Sequence, residues 1–325
     1  MLLSVIIPTR NRASLLCAAL ESLDVQTLPH SGFEVIVVDN GSTDNTRSEV
    51  EKWQANDLNL RYEYEPEPGL HVGRHAGARA AKGEVLIFAD DDIEAMPAWL
   101  ETYAEIFSDP QVAMAGGNNI PMFLTPPPSW LLELWRFTEL DFNQMLPALS
   151  LLKRKGGRSE FSPHLVWGCN FAIRKEVLFE AGGFNPDGVP ADRIQFRGDG
   201  ETAVSDFVAK SLYKCVFDPG ASVYHKVPES RMSFQYFYDR GYAQGISDSF
   251  SRLRRGGSSA ARGLLGKRVV SKLRNQFREL FRLSSDSRNA LRELRRGYRE
   301  GAVYHEACYR NDKIVRDWVH KERYI

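Results

Sequence analysis

Three adjacent carboxylates, Asp90, Asp91 and Asp92, directly follow an apolar run at residues 85–88. Unpaired carboxylates at this spacing repel one another, and a divalent cation that prefers hard oxygen ligands relieves the repulsion. Protein-bound Mg²⁺ usually takes one or two carboxylates plus substrate phosphates, so a nucleoside diphosphate is the natural partner. A solvated acidic turn that caps the next helix is the alternative. The position directly after a strand favours a Mg²⁺ or Mn²⁺ site.

Two other residues have side chains suited to binding a nucleotide. Asp39 ends a second apolar run, and its carboxylate can accept hydrogen bonds from a base or from ribose hydroxyls. The alternative is an Asx turn that closes the loop at Asn40-Gly41. Arg74 lies in a segment rich in Gly and Ala, where its guanidinium can bind phosphate or carboxylate, unless it is an ordinary surface arginine.

The segments that carry these residues alternate between two periodicities. Short apolar, β-branched runs predict strands at residues 2–7, 34–38, 60–64, 85–88 and 112–115. Helical spacing and capping side chains predict helices at residues 14–24, 44–53, 71–82 and 97–107. This alternation indicates an α/β fold with a mostly parallel sheet flanked by helices. Ligands bind such sheets at the carboxyl ends of strands, so the polar residues after the first, second and fourth strands are expected to converge.

Composition limits the class of protein. The chain has 325 residues, of which 43% are hydrophobic and 26% charged, as is ordinary for a globular protein with a sizeable core. No apolar stretch reaches the ~18–20 residues needed to cross a bilayer. The four cysteines are widely spaced and form no C-x-x-C pair. This spacing favours a reduced, cytoplasmic compartment over a disulfide framework or a zinc site.

Several motifs occur in the order found in family 2 glycosyltransferases, and residues 1–230 resemble that family. The motifs are Ile7–Asn11, Val38–Asp44, Gly69-Leu70 with Gly73-Arg74, Phe88–Asp92, Trp167–Lys175 and Gly182–Phe184. The resemblance implies a Rossmann-like GT-A fold. It also implies inverting transfer of a sugar from a nucleotide diphosphate sugar, by analogy a UDP-sugar, to a saccharide or lipid-linked acceptor.

Two alternatives differ from this function in class. A sugar nucleotidyltransferase needs a Gly-rich phosphate-binding loop after the first strand, and residues 8–12 contain no Gly. A non-catalytic binding module on the same fold would be expected to lose the catalytic carboxylate or the metal-binding carboxylates. The candidates for both, Glu201 and the run from Asp90 to Asp92, are present here. The fold alone does not decide the function, so the retained acidic groups favour the transferase.

The resemblance implies roles for individual residues. The nucleotide-sugar-binding set is Pro8, Thr9, Arg10, Asn11, Asp39, Arg74, Asp90 and Asp91. Within this set, the residues after the first strand form the base and ribose pocket, and the two later aspartates approach the ribose and phosphates. Asp92 ligates Mn²⁺ or Mg²⁺, with Asp90 and His225 as further ligands; a strand-end histidine bonded to backbone is the alternative for His225. His75 departs from the family, which commonly has Asn there.

The catalytic base is expected in the segment 198–202. Inverting transfer needs a carboxylate that deprotonates the acceptor hydroxyl. Alignment backwards from Pro219 and His225 places Glu201 at the position of the family's catalytic Asp, so Glu201 is favoured and Asp199 is the second choice. A helix N-cap is the alternative role for Asp199.

Trp167 and Asn170 are expected on the acceptor side. His164, Trp130 and Trp135 are further candidates, because sugars stack on aromatic faces. Core packing is the alternative for the tryptophans, and it is favoured for Trp135.

The charge of the chain is unevenly distributed. Residues 251–325 contain 20 Lys and Arg against 8 Asp and Glu, whereas residues 1–250 contain 22 against 34. We therefore predict a donor half at 1–115, an acceptor and catalytic-base half at 116–250, and a basic helical extension at 251–325. Apolar positions between Leu264 and Phe281 suit either peripheral contact with the inner face of a membrane or docking on the acidic body. Nucleic acid is not an expected partner, because no recognised binding motif accompanies the charge.

Overall fold

The structure is a computed structural model that describes residues 2–55, 57–137, 139–140, 143–256 and 283–325. The strands are β1 (Leu3–Thr9), β2 (Phe33–Asp39), β3 (Leu60–Tyr64), β4 (Val85–Ala89), β5 (Ile93–Ala95), β6 (Val112–Gly116), β7 (Asn119–Phe123), β8 (Glu139–Leu140), β9 (Asn143–Leu146), β10 (Leu151–Arg154), β11 (Ser159–Glu160), β12 (Asn170–Arg174), β13 (Lys214–Phe217) and β14 (Val223–Val227). The helices are α1 (Ala13–Asp24), α2 (Thr46–Trp53), α3 (Leu70–Ala80), α4 (Trp99–Ile106), α5 (Ser129–Phe137), α6 (Lys175–Glu180), α7 (Thr202–Lys210), α8 (Phe234–Arg254), α9 (Ser285–Asn311) and α10 (Lys313–Val319).

Eight of the described strands form the main sheet, in the order β11-β13-β6-β12-β4-β1-β2-β3. β1 pairs in parallel with β2 and β4, β2 pairs in parallel with β3, and β13 pairs in parallel with β6. β12 runs antiparallel between β4 and β6. β1, β2 and β4 are buried along their whole length, which explains their nearly continuous apolar sequences. The predicted α/β fold with a mostly parallel sheet is confirmed.

The helix predicted at residues 71–82 forms as α3, and glycines bring it close to the sheet. An added Cβ at Gly77 would lie 2.3 Å from a side-chain carbon of Ile6, and one at Gly73 would lie 3.1 Å from the Pro8 side chain. A larger residue at Gly77 would therefore force the helix or Ile6 to move, whereas one at Gly73 would require a shift of only a few tenths of an ångström. This close approach places Arg74 beside the ends of β1 and β4.

A second sheet, which the sequence did not predict, has the order β5-β14-β7-β10-β9-β8. β5 begins directly after the acidic run, and β14 pairs with it antiparallel, so that His225 lies opposite Ile93. The backbone N–H of Lys226 donates to the carbonyl of Asp92 at 2.8 Å. The pairing of β5 with β14 therefore places His225 beside the last aspartate of the run.

The two expected boundaries between parts of the chain fall inside secondary-structure elements. Residue 115 lies within β6, and residues 250 and 251 lie within α8. Strands β11, β12 and β13 of the expected acceptor half pair into the same sheet as β1, β2 and β4 of the expected donor half. The two halves therefore share one sheet.

α8 and α9 pack against each other through two glycines on each helix. The facing pairs are Gly241 with Leu294, Gly245 with Tyr298, Gly297 with Tyr238 and Gly301 with Tyr242. A Cβ added at any of these glycines would lie 2.0 to 2.1 Å from a backbone oxygen of the facing helix. The close approach of the two helices therefore depends on residues without side chains.

The described part of the basic extension docks on the body. Leu283 and Ala290 are buried in an apolar cluster that includes Trp130. The apolar positions between residues 264 and 281, which suggested a lipid-binding surface, lie outside the described residues. Within the part of the chain that the structure describes, no helix is long and apolar enough to cross a membrane.

We expect Gly297→Ala to destabilise the protein, although alanine is the better helix former by about 0.5–1 kcal/mol. The new Cβ would lie 2.1 Å from the carbonyl oxygen of Tyr238 and 2.9 Å from the backbone nitrogen of Tyr242, so the helices must separate. Overpacking of this kind costs about 1–3 kcal/mol, which lowers the thermal unfolding midpoint.

Val303→Ala is the matched control, because this side chain of α9 is 66% exposed. We expect it to change the midpoint by no more than about 2 °C. An unchanged or higher midpoint for Gly297→Ala would show that the two helices do not pack as described.

Candidate active site

The acidic run is largely buried, so it is not a solvated turn. Asp91 and Asp92 are 4% and 2% exposed, and Asp90 is partly exposed. Arg12 Nη1 donates to Asp91 Oδ1 at 2.8 Å and to Asp92 Oδ2 at 3.3 Å. Arg231 Nη2 donates to Asp92 Oδ2 at 2.7 Å. Two arginines from distant segments therefore compensate the charge of the buried aspartates.

The two buried aspartates differ in acidity. Burial raises the pKa of Asp91 to about 6, although Arg12 opposes the rise, and the neighbouring charge of Asp92 adds to it. Burial also acts to raise the pKa of Asp92, but its contact with the His225 imidazole, together with Arg231 and Arg12, holds that pKa well below its ordinary value. Asp92 is therefore the more strongly anionic of the two.

Asp90, Asp92 and His225 offer ligand atoms that all lie within 4.8 Å of one another. His225 Nε2 lies 3.2 Å from Asp92 Oδ1, but the two are poorly aligned for a hydrogen bond. Among the described residues, the buried atoms Asp92 Oδ1 and His225 Nδ1 have no hydrogen-bond partner. Such atoms normally have a partner, and carboxylate oxygens with an imidazole nitrogen are suitable ligands for a divalent cation. The residues therefore fit a metal ion.

A cavity of about 340 Å³ opens beside the acidic run. Pro8, Thr9 and Arg10 line it, together with Asp90, Asp91 and Asp92. Thr9 Oγ1 donates to Asp91 Oδ2 at 2.8 Å, which joins the end of β1 to the end of β4. The structure therefore brings these sequence-predicted residues together at the carboxyl ends of two neighbouring strands.

Asn11 and Asp39 do not line this cavity, contrary to expectation. The side-chain oxygen of Asn11 accepts from the backbone N–H of Thr43 at 2.7 Å. Asp39 is 2% exposed; its Oδ1 accepts from the backbone N–H of Ser42 at 2.7 Å, and its Oδ2 accepts from the Tyr62 hydroxyl at 2.8 Å. Both side chains are therefore used to hold the loop after β2, as the loop-closing alternative for Asp39 anticipated.

A second cavity, also of about 340 Å³, adjoins the first, and both are lined by Leu70 and Asp90. Trp167, which was expected on the acceptor side, lines this second cavity. Trp130 and Trp135 are 7% and 9% exposed in an apolar cluster, so core packing accounts for both.

Both candidate bases line the second cavity, but their carboxylates are held differently. Glu201 Oε1 accepts from the backbone N–H of Gly168 at 3.0 Å, and its Oε2 accepts no hydrogen bond from the described residues. Asp199 Oδ1 accepts from the Asn185 amide at 2.6 Å, and its Oδ2 accepts from the Ser251 hydroxyl. The side chain of Asp199 does not cap α7. Glu201 is therefore the carboxylate with an oxygen available to a ligand.

Burial raises the pKa of both carboxyl groups. For Glu201 the positive charge of Arg74 opposes the rise. For Asp199 the hydrogen bonds from Ser251 and Asn185 oppose it. A raised pKa brings a carboxylate closer to the range in which it can both accept and release a proton near neutral pH.

Arg74 lies between the acidic run and Glu201 and is 3% exposed. Its Nη2 donates to Asp90 Oδ1 at 3.1 Å, and its Nη1 lies 3.9 Å from Glu201 Oε2. A Cβ added at Gly168 would lie 2.3 Å from Nη2, so a larger residue there would displace the guanidinium from this position. Arg74 lines the second cavity and not the first. It is therefore placed to connect the two cavities rather than to contact the base of a nucleotide.

Asn170, which was expected on the acceptor side, is a buried residue that lines neither cavity. It is 1% exposed, and its Oδ1 accepts from the Tyr103 hydroxyl at 2.6 Å and from Trp99 Nε1 at 3.0 Å. Its Nδ2 donates to the carbonyl of Ala221 at 2.9 Å. The amide is needed because it satisfies buried polar groups of α4 and of the turn before β14.

His75, where the sequence departs from the family pattern, lines neither cavity. Its Nε2 accepts from the backbone N–H of Phe184 at 2.9 Å, and its Nδ1 donates to the carbonyl of Tyr324 at 3.1 Å. This histidine therefore fixes α3 to the C-terminal segment.

Sequence reasoning missed three arginines of the site. Arg12 carried a usable signal, because it follows β1 by only a few residues and so lies at the expected ligand edge. No local sequence pattern predicts Arg231 or Arg240, because their positions depend on how β14 and α8 pack against the rest of the fold. Arg240 lines the second cavity.

Residues 4–180 match the family described as Glycosyl transferase family 2, and the chain belongs to that family. It is 39% identical over 114 residues to Validoxylamine A glucosyltransferase of Streptomyces hygroscopicus subsp. jinggangensis, which covers 34% of this chain and 27% of that protein. It is 36% identical over 116 residues to Glycosyltransferase AglE of Haloferax volcanii, which covers 35% and 38% respectively. These matches span well under half the length of the curated relatives.

The fold is also similar to that of a solved glycosyltransferase. Mannosyltransferase PcManGT from Pyrobaculum calidifontis, solved in complex with GDP-Man and Mn²⁺, superposes with a TM-score of 0.54 at 21% identity. The superposition covers 98% of this chain and 82% of that chain. The predicted GT-A fold is therefore confirmed.

The pH dependence of stability should reveal the buried state of His75. Burial lowers the pKa of His75 to about 3, so between pH 6.5 and pH 3 the unfolded chain binds a proton that the folded chain does not. Acidification in this range therefore destabilises the wild type, by about 2 kcal/mol at pH 5 from this residue.

His75→Asn removes this titration while it keeps a polar side chain. The variant should be less stable than wild type at pH 7, and the difference should shrink by about 2 kcal/mol at pH 5. Denaturant unfolding at the two pH values gives the comparison. A difference that stays constant from pH 7 to pH 5 would mean that His75 is not held neutral.

Proposed function

We propose that the chain is an inverting glycosyltransferase that moves a sugar from a nucleotide diphosphate sugar to a hydroxyl of a saccharide or lipid-linked acceptor. The observation that carries the proposal is the junction of the two cavities at Asp90. One cavity presents side chains suited to a cation and phosphates, and the other presents the Glu201 carboxylate. A donor in the first cavity and an acceptor in the second would meet at this junction.

The first cavity is the proposed donor site. Pro8, Thr9 and Arg10 would bind the base and ribose, and UDP is the proposed nucleotide on the strength of the family resemblance. Arg12 and Arg231 line the same cavity and carry the positive charge that a diphosphate needs.

Asp90, Asp92 and His225 are the proposed ligands of Mn²⁺ or Mg²⁺. When bound, such a cation offsets the negative charge that develops on the departing diphosphate. Thr9 and Arg12 hold the Asp91 carboxylate, which fixes the acidic run in position beside the donor.

Glu201 is the proposed general base. The Gly168 N–H holds Oε1, so Oε2 is left to accept the proton of the acceptor hydroxyl. The acceptor oxygen bonds to the anomeric carbon while the bond from that carbon to the diphosphate oxygen breaks on the opposite face, so the configuration inverts. The charge of Arg74 favours the ionised form of Glu201 that this step requires.

Each part of the chain has its own role in the proposed reaction. Residues 1–115 supply most of the donor site, residues 116–250 supply the base and the acceptor wall, and residues 251–325 brace the acceptor side through α9. We also propose that the protein lies in the cytoplasm. If the acceptor is lipid-linked, the basic extension would contact the membrane.

Replacement of the base separates catalysis from donor binding. A nucleoside diphosphate with Mn²⁺ should raise the thermal midpoints of wild type and Glu201→Gln equally, because Glu201 does not line the donor cavity. With the nucleotide sugar that the wild type uses as donor, Glu201→Gln should release nucleoside diphosphate about 10²–10⁴-fold more slowly. In the wild type this rate should rise with pH through a pKa above that of an ordinary glutamate, because only ionised Glu201 accepts a proton.

Asp199→Asn is the matched control, because an amide can keep the contacts with Asn185 and Ser251 and should leave the rate nearly unchanged. If this variant lost activity while Glu201→Gln stayed active, Asp199 would be the general base instead of Glu201. Stabilisation of the wild type by a nucleotide without turnover of any donor would favour the non-catalytic binding module. No stabilisation by UDP, GDP or dTDP would refute the donor site.

A further inference from the structure

Three arginines line the second cavity, and one of them makes no direct polar contact with the described residues. Arg74 donates to Asp90 at 3.1 Å, and Arg197 Nη2 lies 2.5 Å from Asp187 Oδ1. Arg240 forms no hydrogen bond or ion pair within the described ranges. Its guanidinium is partly buried and therefore has donors to offer to a molecule in the cavity.

Each carboxylate of this cavity has a direct contact with a group other than Arg240. The pairs are Asp90 with Arg74, Asp187 with Arg197, Asp199 with the Ser251 hydroxyl, and Glu201 with the Gly168 N–H. None of these carboxylates forms an ion pair with Arg240, although each lines the same cavity. Burial acts to raise the pKa of Asp187, and the charges of Arg197, Arg74 and, more weakly, Arg240 hold it below its ordinary value. Arg240 therefore acts on the fold only through this longer-range charge, and its N–H donors remain available to a ligand.

α8 holds Arg240 in a defined position. Gln244 and Ser247 follow it by four and seven residues, and both also line the cavity, as expected for one face of a helix. Ser247 Oγ donates to the carbonyl of Gly198 at 2.7 Å, directly before the segment that carries the base. The side of α8 that presents Arg240 is thus fixed relative to Glu201.

Arg240 is separate from the groups that would bind the donor diphosphate. The donor cavity has its own arginines, Arg10, Arg12 and Arg231, and Arg240 does not line it. A guanidinium on the base side of the junction therefore faces the acceptor.

We propose that Arg240 binds an anionic group, a phosphate or a carboxylate, that the acceptor carries near the hydroxyl that receives the sugar. A guanidinium matches both groups with paired hydrogen bonds. This inference rests on the proposed function and narrows its acceptor to a sugar phosphate or an acidic saccharide. Arg240 is then a specificity-determining residue of the acceptor site.

Binding of three small probes tests the inference. Methyl β-glucuronide supplies a carboxylate, glucose 6-phosphate supplies a phosphate, and methyl β-glucoside is neutral. Their dissociation constants are measured by ligand-observed NMR with Mg²⁺ and a nucleoside diphosphate present. At least one anionic probe should bind wild type about tenfold more tightly than the glucoside, the effect of one charge-assisted contact. The probe that shows the preference identifies the carboxylate or the phosphate as the recognised group.

Arg240→Gln should abolish the preference and leave binding of the glucoside unchanged, and Arg240→Lys should restore part of it. Arg252→Gln is the matched control, because Arg252 lies on the same helix and pairs with Glu306 outside the cavity. It should retain the full preference.

Equal binding of the three probes, binding of none, or a preference that survives Arg240→Gln overturns the inference. The thermal midpoint with nucleotide, measured on the same samples, separates the two proposals. Nucleotide stabilisation without an anionic preference overturns only the role of Arg240, whereas no nucleotide stabilisation of the wild type overturns the proposed function as well.

Discussion

Buried negative charge at the end of β4 is the constraint on which the site depends. Asp91 and Asp92 are almost excluded from solvent, and buried carboxylates are stable only with cations or hydrogen-bond donors around them. Arg12 comes from the loop after β1, His225 from β14, and Arg231 from the turn after β14. The charge of the acidic run therefore organises three distant segments, and the same charge supports the proposal that the run binds a cation.

Arg74 extends this compensation from the cavity beside the acidic run to the second cavity. It is buried between Asp90 and Glu201, so the acidic run and the proposed base share one cation. Its surroundings are adapted to it: Gly168 leaves space for the guanidinium, and the Phe184 ring lies 5.6 Å from it. A change in the charge of either carboxylate would therefore alter the electrostatic field at the other.

The sequence predicts features that depend on local pattern. Buried parallel strands and the helices between them have periodicities that are visible in short windows, and so the main sheet and the convergence of residues 8–10 with the acidic run could be predicted. The second sheet could not be predicted, because its strands are short and β14 pairs with strands that lie far from it in the sequence. Arg231 is likewise 139 residues from Asp92. Residue type also does not separate a ligand-binding amide or carboxylate from one that closes a loop or satisfies the core, which is why the loop contacts of Asp39 and the core contacts of Asn170 could not be predicted.

The central claim is that the carboxylates and the histidine at the end of β4 bind a cation beside a nucleoside diphosphate. Anomalous diffraction from crystals grown with Mn²⁺ and the stabilising nucleoside diphosphate tests it most directly. We expect an anomalous peak for a manganese ion bound by Asp92 and His225, with the diphosphate in the cavity lined by Arg12 and Arg231. An ordered nucleotide in that cavity without a peak at these residues, or a manganese ion bound elsewhere, would contradict the account.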